Sequence, residues 1–312
     1  MSEKKTRNKR VADEPVTDKP ELHVLTESES PVPNGTLLLV GGAEDKGQPI
    51  EEGDPKTRLA NYLALDVMKT FVDLTKKETP RIEVICTASG QPQGTEEDYR
   101  GVFGKLGCTN VGYINDIDRL TVHNSPYFER LKTADAVYFA GGDQLKLTSF
   151  YGGTLFLAIL KQRYVYDELV VGGTSAGAMA MSTPMIYQSS SDADFLKGEV
   201  KITTGLEFLQ NVAVDTHFIS RGRFVRLAQV VATNPSCLAM GIEEDTGVII
   251  RNGREAEVVG NGAIVVIDGH TSKHTNISHI KQDQAVSIDN LTVHILVKGD
   301  RYILPQYNLQ HQ

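Results

Sequence analysis

Long apolar segments, a surplus of basic residues and paired cysteines are all missing from this chain of 312 residues. No stretch approaches the roughly 20 apolar residues that a membrane-spanning helix requires, so no membrane partner is expected. Lys and Arg number 32 against 40 Asp and Glu, which gives a formal net charge of −8. Nucleic acid is therefore not expected as a partner, because phosphate binding needs clustered cations. An acidic surface would instead attract a cationic substrate.

The three cysteines, Cys86, Cys108 and Cys237, have neither C-x-x-C nor metal-ligand spacing. Cys86 and Cys237 lie in or beside apolar runs, which predicts buried free thiols. The charged start of the chain, Met1 to Arg7, is not followed by the apolar core of a secretory signal, so we expect a cytoplasmic protein. The sequence predicts no metal site and no cofactor.

Composition divides the chain into a tail and a folded body. Residues 1–34 are charged, rich in Pro, Ser and Thr, and without apolar periodicity, which predicts a disordered or loosely ordered tail. Residues 35–312 are expected to form a single α/β domain. Short apolar runs such as Thr36–Val40 alternate with helical stretches over 58–74, 95–106, 125–133 and 144–161, which predicts a mostly parallel sheet covered by helices on both faces. After Val248, short β runs separated by Asn-Gly and Asp-Gly predict a C-terminal antiparallel extension.

The run Leu169–Val171 breaks on glycines, presents Ser175 and resumes as small helix-forming residues. This G-x-S-x-G pattern is typical of a nucleophile elbow, a tight strand-to-helix turn that exposes a serine hydroxyl beside the N–H groups of a helix N-terminus. The same pattern also occurs in ordinary turns. The apolar strand before it and the residues Ala178–Met181 after it favour a nucleophile.

A serine nucleophile needs a base and a third group that orients the base. His217, after the apolar run that begins at Val212, is the candidate base, although a histidine near a strand end is often structural. The acid should follow at another strand end, where three neighbours compete: Glu243, Glu244 and Asp245. The order serine, histidine, acid differs from that of α/β-hydrolases, which argues against a lipase or esterase.

Charged residues surround the candidate base: Asp215 precedes it, and Arg221, Arg223 and Arg226 follow it. Three arginines so close together are consistent with one solvated helix face. The alternative is carboxylate recognition, because a guanidinium group grips a carboxylate in two places.

Two glycine pairs also end strands. Gly141-Gly142 follows the strand before the elbow strand, so the N–H groups of Gly142 and Ala176 are candidates for an oxyanion hole, with a plain turn as the alternative. Gly41-Gly42 follows the first strand, but its surroundings fit neither G-x-G-x-x-G nor the P-loop, so nucleotide binding is not expected.

Taken together, five motifs in this order resemble the cyanophycinase family, within the peptidase E group of serine peptidases: Gly41–Lys46, Gly141–Gln144, Gly172–Ala178, Asp215–Phe218 and Glu243–Thr246. The resemblance implies a flavodoxin-like three-layer α/β/α sandwich related to class I glutamine amidotransferases, usually a homodimer. It also implies a triad of Ser175, His217 and Glu244. The implied substrate pocket consists of Gln144, Asp215, Arg221, Arg223 and Arg226.

The substrate implied by this resemblance is cyanophycin, a polyaspartate that carries arginine on each β-carboxyl and is cleaved to β-Asp-Arg dipeptides. The chain departs from the family at Thr216, where cyanophycinases often have glutamine. Two other functions remain open: a dipeptidase specific for N-terminal aspartate, like peptidase E, and a catalytically silent member of the fold that binds a partner.

Overall fold

The computed structural model describes residues 31–44, 46, 65–123, 126–189 and 193–305. The predicted tail therefore lies outside the described residues as far as residue 30, and the helix expected over 58–74 is described only from residue 65. Within these ranges, no helix is both long enough and apolar enough to cross a membrane.

Five parallel strands form the centre of the larger sheet, in the order β1-β5-β4-β2-β3. These strands are β1 Thr36–Val40, β2 Ile82–Ile85, β3 Val111–Ile114, β4 Ala136–Phe139 and β5 Val170–Thr174. Most of their residues are buried, as expected of parallel strands that are covered on both faces. The prediction of a parallel sheet is confirmed.

Eight helices are described. They are α1 Asp66–Asp73, α2 Pro92–Lys105, α3 Arg119–His123, α4 Phe128–Leu131, α5 Gln144–Tyr151, α6 Leu155–Tyr166, α7 Ala176–Ala180 and α8 Phe224–Thr233. Helices α1 and α2 cover one face of the parallel strands, while α5 and α6 cover the other. The helical stretch expected over 144–161 consists of two helices, α5 and α6: the chain breaks at Gly152-Gly153, and Thr154 caps α6 with its side chain.

The predicted C-terminal extension is divided between two sheets, which the sequence did not indicate. Strands β12 Thr246–Arg251, β13 Glu255–Gly260 and β16 Arg301–Ile303 continue the larger sheet beyond β1 with antiparallel pairing. Strands β14 Ala263–Asp268 and β15 Thr292–Val297 belong instead to a second sheet. Hairpin signals predict which consecutive strands pair with each other, but they do not predict which sheet the pair joins.

The second sheet has the order β15-β14-β11-β10-β6-β9 among the described residues. Its remaining strands are β6 Ser182–Thr183, β9 Leu209–Gln210, β10 Val212–Thr216 and β11 Leu238–Ile242. A two-stranded ribbon, β7 Met185–Gln188 with β8 Lys201–Thr203, lies between β6 and β9 in the chain. Helix α8 packs on one face of this sheet, and the other face shares a hydrophobic core with the larger sheet.

The carboxyl ends of strands from both sheets meet at one place. The Ser175 N–H, just after β5, donates to Val40 O at 3.0 Å, and the His217 N–H, just after β10, donates to Gly41 O at 2.8 Å. The N–H of Phe218 donates to Ile242 O, the last residue of β11. The fold thus brings the ends of β1, β5, β10 and β11 together, at the edge where parallel sheets bind ligands.

Candidate active site

Ser175 occupies the tight turn between β5 and α7, with φ 49° and ψ −117°. Such a conformation costs a non-glycine residue about 1–3 kcal/mol and persists only where surrounding contacts fix it. The turn packs so closely against β4 that residue 177 must be glycine, because a Cβ there would lie 2.2 Å from Phe139 O. The strand-turn-helix geometry expected of a nucleophile elbow is present at this serine.

His217 lies within hydrogen-bond distance of the serine hydroxyl, with 3.0 Å between Nε2 and Ser175 Oγ. Its ring rests over the loop after β1, where Gly42 leaves the room that it needs: a Cβ at Gly42 would lie 2.4 Å from Nε2. The glycine pair after β1, which sequence reasoning excluded from nucleotide binding and counted among the motifs of the resemblance, thus forms part of the site. No motif could have revealed this role, because it depends on β1 and β10 belonging to different sheets.

The structure distinguishes the three acidic candidates by the groups that they contact. Glu244 Oε1 lies 2.8 Å from Nδ1 of His217. Glu243 Oε2 accepts hydrogen bonds from the N–H groups of Ile219 at 2.6 Å and Ser220 at 3.1 Å. Asp245 Oδ2 accepts from Asn261 at 2.6 Å. A continuous chain of hydrogen bonds therefore joins Ser175, His217 and Glu244.

A pocket of about 290 Å³ opens beside the serine. Seven residues that the sequence predicted contribute to its wall: Gly142, Gln144, Ser175, Ala176, Arg221, Arg223 and Arg226. The wall also includes Met179, Tyr187, Gln188, Ser189 and Thr216. Strand β7 brings Tyr187 and Gln188 to the pocket, and Ser189 directly follows this strand. Gln144 Nε2 donates to Ile186 O of the same strand at 2.9 Å. Sequence reasoning missed this contribution, since nothing in the ribbon has a catalytic pattern.

The loop after β4 lies directly beside the elbow. A Cβ at Gly141 would be 3.4 Å from the Ser175 Cβ, so the two turns are in van der Waals range of each other. Gly142 and Ala176 reach the same pocket as the serine hydroxyl. Both residues therefore line the wall beside the serine.

Asp215 lies behind the pocket and is fully buried. Its carboxylate accepts from Arg226 Nε at 2.6 Å, from Arg226 Nη2, and from Arg223 Nη1 at 3.2 Å. Arg223 Nη1 also donates to Thr216 O at 2.6 Å, and Arg226 Nη1 donates to Ser189 Oγ at 2.7 Å. Asp215 thus holds two arginines in place and does not itself face the pocket.

The three arginines differ in exposure, so they do not form one solvated helix face: Arg226 is buried, Arg223 is half-buried and Arg221 is exposed. Burial lowers the pKa of the Arg223 guanidinium, and the charge of Asp215 opposes that effect. Arginine nevertheless keeps its charge in proteins. Asp194 is also near, and burial raises the pKa of its carboxyl group. Three guanidinium groups against two carboxyl groups leave this wall with surplus positive charge, which favours an anionic group of a ligand.

Among the residues described, no group of three or more His, Cys, Asp or Glu side chains could hold a metal ion. The thiols of Cys86 and Cys237 are buried, and Cys108 is half-buried; none forms a disulfide. Burial raises the pKa of Cys86 to about 12. The prediction of buried free thiols is confirmed for Cys86 and Cys237.

Comparisons with known proteins add to this geometry. The family model described as Peptidase family S51 matches residues 59–258. Cyanophycinase of Geminocystis herdmanii is 30% identical over 267 residues, which cover 86% of this chain and 93% of that protein. Cyanophycinase of Trichormus variabilis is 31% identical over 270 residues, 86% of each chain. The crystal structure of a peptidase from an acI-B1 Actinobacterium shares the fold, with a TM-score of 0.59, 21% identity, and coverage of 86% of this chain and 97% of that one.

Proposed function

Because this chain belongs to peptidase family S51 and is a peptidase, we propose that it is a serine peptidase that hydrolyses cyanophycin to β-Asp-Arg dipeptides. The observation that carries the proposal is the hydrogen-bond chain from Ser175 Oγ through His217 to Glu244 Oε1, at 3.0 and 2.8 Å, beside an arginine-lined pocket. Cyanophycin combines guanidinium groups with free carboxylates. Its guanidinium groups therefore match the net negative charge of the chain, and its carboxylates match the arginines of the pocket wall.

In the proposed mechanism, Ser175 Oγ attacks the carbonyl carbon of a backbone amide between two aspartates. His217 Nε2 removes the hydroxyl proton as the C–O bond forms, and then delivers that proton to the departing amine as the C–N bond breaks. Glu244 accepts a hydrogen bond from the Nδ1–H group of the ring and stabilises the imidazolium without taking its proton. Water then attacks the ester, with His217 again acting as base, and this step releases the acid product and the free serine.

The N–H groups of Gly142 and Ala176 are the proposed donors to the oxyanion. Such donors contribute most when they are already aimed at the developing charge, and each is worth on the order of 3 kcal/mol in the transition state. This assignment is supported by the position of Gly142 and Ala176 in the same pocket wall as Ser175.

For the substrate, we propose that Arg221 and Arg223 bind carboxylates while Gln144, at the start of α5, also contacts the polymer. Each unit of cyanophycin keeps the α-carboxylate of its arginine, so the ligand offers the anion that this wall favours. Arg226 and Asp215 act by holding the wall in shape, since the side chains of both are engaged with each other.

A dipeptidase specific for N-terminal aspartate remains the second candidate. The observation in its favour is the engagement of Arg226 with Asp215 and Ser189, which leaves fewer free guanidinium groups than the sequence alone indicates. A substrate with one or two carboxylates would be enough to pair with the other two arginines, Arg221 and Arg223.

A flavodoxin-like classification and a homodimer complete the proposal. The strand order supports this classification. When the strands are counted from β2 as the first, the neighbours β3-β2-β4-β5 have the order 2-1-3-4, which matches the first four positions of the flavodoxin order 2-1-3-4-5. Strand β1 occupies the fifth position. The dimer rests on the family resemblance alone, and light scattering of the purified protein measures it.

The test of substrate class is a panel of purified cyanophycin and Asp-X dipeptides, with products identified by mass. Release of β-Asp-Arg from the polymer, with turnover of Asp-X dipeptides at least a hundredfold slower, is the expected result. Rapid Asp-X cleavage without attack on the polymer supports the dipeptidase. Turnover of neither substrate, with a partner protein firmly bound, supports the silent member of the fold.

A further inference from the structure

A buried carboxylate, Glu44, lies behind the elbow and has no part in the mechanism described above. It follows β1 in the chain and is 6% exposed. Its Oε1 accepts a hydrogen bond from the Tyr99 hydroxyl at 2.6 Å, and its Oε2 accepts one from the Thr174 hydroxyl at 2.5 Å. Thr174 is the last residue of β5 and directly precedes Ser175. Glu44 therefore links helix α2 to the residue that introduces the elbow.

Glu44 ends a short segment, residues 40–44, whose backbone accepts hydrogen bonds from Ser175, from His217 and from the residue that follows Glu244. Val40 O accepts from the Ser175 N–H at 3.0 Å, and Gly41 O accepts from the His217 N–H at 2.8 Å. Gly42 O accepts from the N–H of Asp245, next to Glu244, at 2.9 Å. We call residues 40–44 the alignment segment, because its backbone contacts the chain at all three positions.

The elbow needs such support because Ser175 has a strained backbone, with φ 49° and ψ −117°. A residue in this region stays there only when its surroundings over-determine its conformation. The main-chain bond from Ser175 to Val40 is one constraint. The side-chain bond from Thr174 to Glu44 is another, and it acts on the residue where the regular strand ends.

We propose that Glu44 is a positioning residue for the nucleophile: by binding the Thr174 hydroxyl, it keeps the elbow in the conformation that points Ser175 Oγ at His217. The inference rests on the proposed role of Ser175. Tyr99 holds the other oxygen of the carboxylate. Burial and the charge of Glu44 both raise the pKa of Tyr99, so its hydroxyl keeps the proton that it donates.

Glu44 affects the rate rather than substrate binding, because neither it nor Thr174 is among the described residues that line the pocket. The expected signature is therefore a lower kcat with an unchanged KM. Replacing Thr174 with valine removes the hydroxyl and keeps the shape of the side chain, whereas serine keeps the hydroxyl. This pair isolates the hydrogen bond to Glu44.

We expect Thr174→Val to lower kcat about tenfold, the effect of losing one hydrogen bond to a charged acceptor. KM should stay within about twofold, and Thr174→Ser should recover most of the rate. Glu44→Ala should lower kcat at least as much as Thr174→Val. Thr154→Val is the matched control, because it removes another buried threonine hydroxyl, the cap of α6, away from the elbow. It should lower the melting temperature and leave kcat at 25 °C unchanged.

A second readout does not depend on the identity of the substrate: the rate at which a small phosphonofluoridate modifies Ser175. This rate should also fall about tenfold in Thr174→Val and recover in Thr174→Ser. If the wild-type protein hydrolyses its substrate and is modified, but folded Thr174→Val matches it in both rates, the positioning role is contradicted and the proposed function stands. If Ser175 of the wild-type protein is neither modified nor needed for hydrolysis, the proposed function itself is contradicted, and the positioning role of Glu44 is contradicted with it.

If Thr174→Val does not fold, Tyr99→Phe provides the same test from the other side of the carboxylate. The ring of Tyr99 is buried and stays in place, while the hydroxyl that holds Glu44 is lost. A lower kcat with unchanged KM supports the proposal, and wild-type kinetics from the folded variant contradict it.

Discussion

The imidazole of His217 lies against Gly42, where a Cβ atom would come within 2.4 Å of Nε2 and where φ is +102°. The ring is thereby held between the alignment segment on one side and the hydroxyl of Ser175 on the other. Space at residue 42 thus determines where the proposed base can sit, although Gly42 has no chemistry of its own.

Gly42→Ala should therefore displace the ring and lower kcat by about a hundredfold or more, since small misplacements of a catalytic group cost that much. Steady-state kinetics measure the effect. Gly107→Ala is the matched control: φ at Gly107 is +76° and an added Cβ meets nothing within 4 Å. Both variants should lose stability from backbone strain, and equal loss of kcat in both would contradict the steric argument.

Glu244 and Glu243 offer a comparison between neighbours in the chain. Glu244→Gln should lower kcat by roughly a thousandfold or more, because an amide neither orients the neutral ring nor stabilises the imidazolium in the same way. Glu243→Gln should change kcat by less than about fivefold, since an amide oxygen can still accept from the N–H groups of Ile219 and Ser220. The kcat values of the two variants, measured side by side, test the assignment, and the reverse order of effects would overturn it.

Two of the three arginines of the pocket wall should differ in role: Arg226 should stabilise the fold, and Arg221 should bind ligand. Arg226→Met leaves the buried Asp215 with fewer partners, so we expect about 3–5 kcal/mol less free energy of unfolding. Arg221→Met removes an exposed side chain and should change stability by less than about 0.5 kcal/mol while raising KM for substrates with carboxylates. Urea denaturation and KM measurements on both variants test this division. A stable Arg226→Met variant would contradict it.

The pKa of about 12 for Cys86 predicts how stability changes at alkaline pH. A thiol with a raised pKa binds its proton more tightly in the folded state than in the unfolded chain. Its contribution is therefore constant below about pH 8.5, the pKa of a free thiol, and falls as the pH rises from there toward 12. Cys86→Ala should flatten this part of the stability profile in denaturation experiments between pH 8 and 10, and an unchanged slope would argue against the shift. Alkylation of native Cys86 at pH 8 should be slow for the same reason.

Local patterns were enough to predict the parallel strands and the elbow. The elbow consists of segments that are consecutive in the chain: strand β5, the turn at Ser175 and the small residues of α7. Their geometry can therefore be predicted from the local sequence pattern. His217 could also be proposed from the sequence as the base, because the polar residues around it follow an apolar strand directly.

Relations between distant segments could not be predicted in the same way. The distinction between Glu243 and Glu244 depends on how the chain turns after β11, and both residues have the same chemistry. The role of Gly42 depends on the approach of β10 from the second sheet, which no local pattern specifies. The burial of Asp215 behind two arginines likewise depends on where α8 packs.

The most direct test of the central claim is the rate at which Ser175→Ala hydrolyses cyanophycin, compared with the wild-type protein under the same conditions. Circular dichroism and thermal unfolding establish that the variant is folded. If Ser175 is the nucleophile, the variant should release β-Asp-Arg at least about a thousandfold more slowly, because no other group in the hydrogen-bond chain can form the acyl-enzyme. Release within tenfold of the wild-type rate would contradict the account.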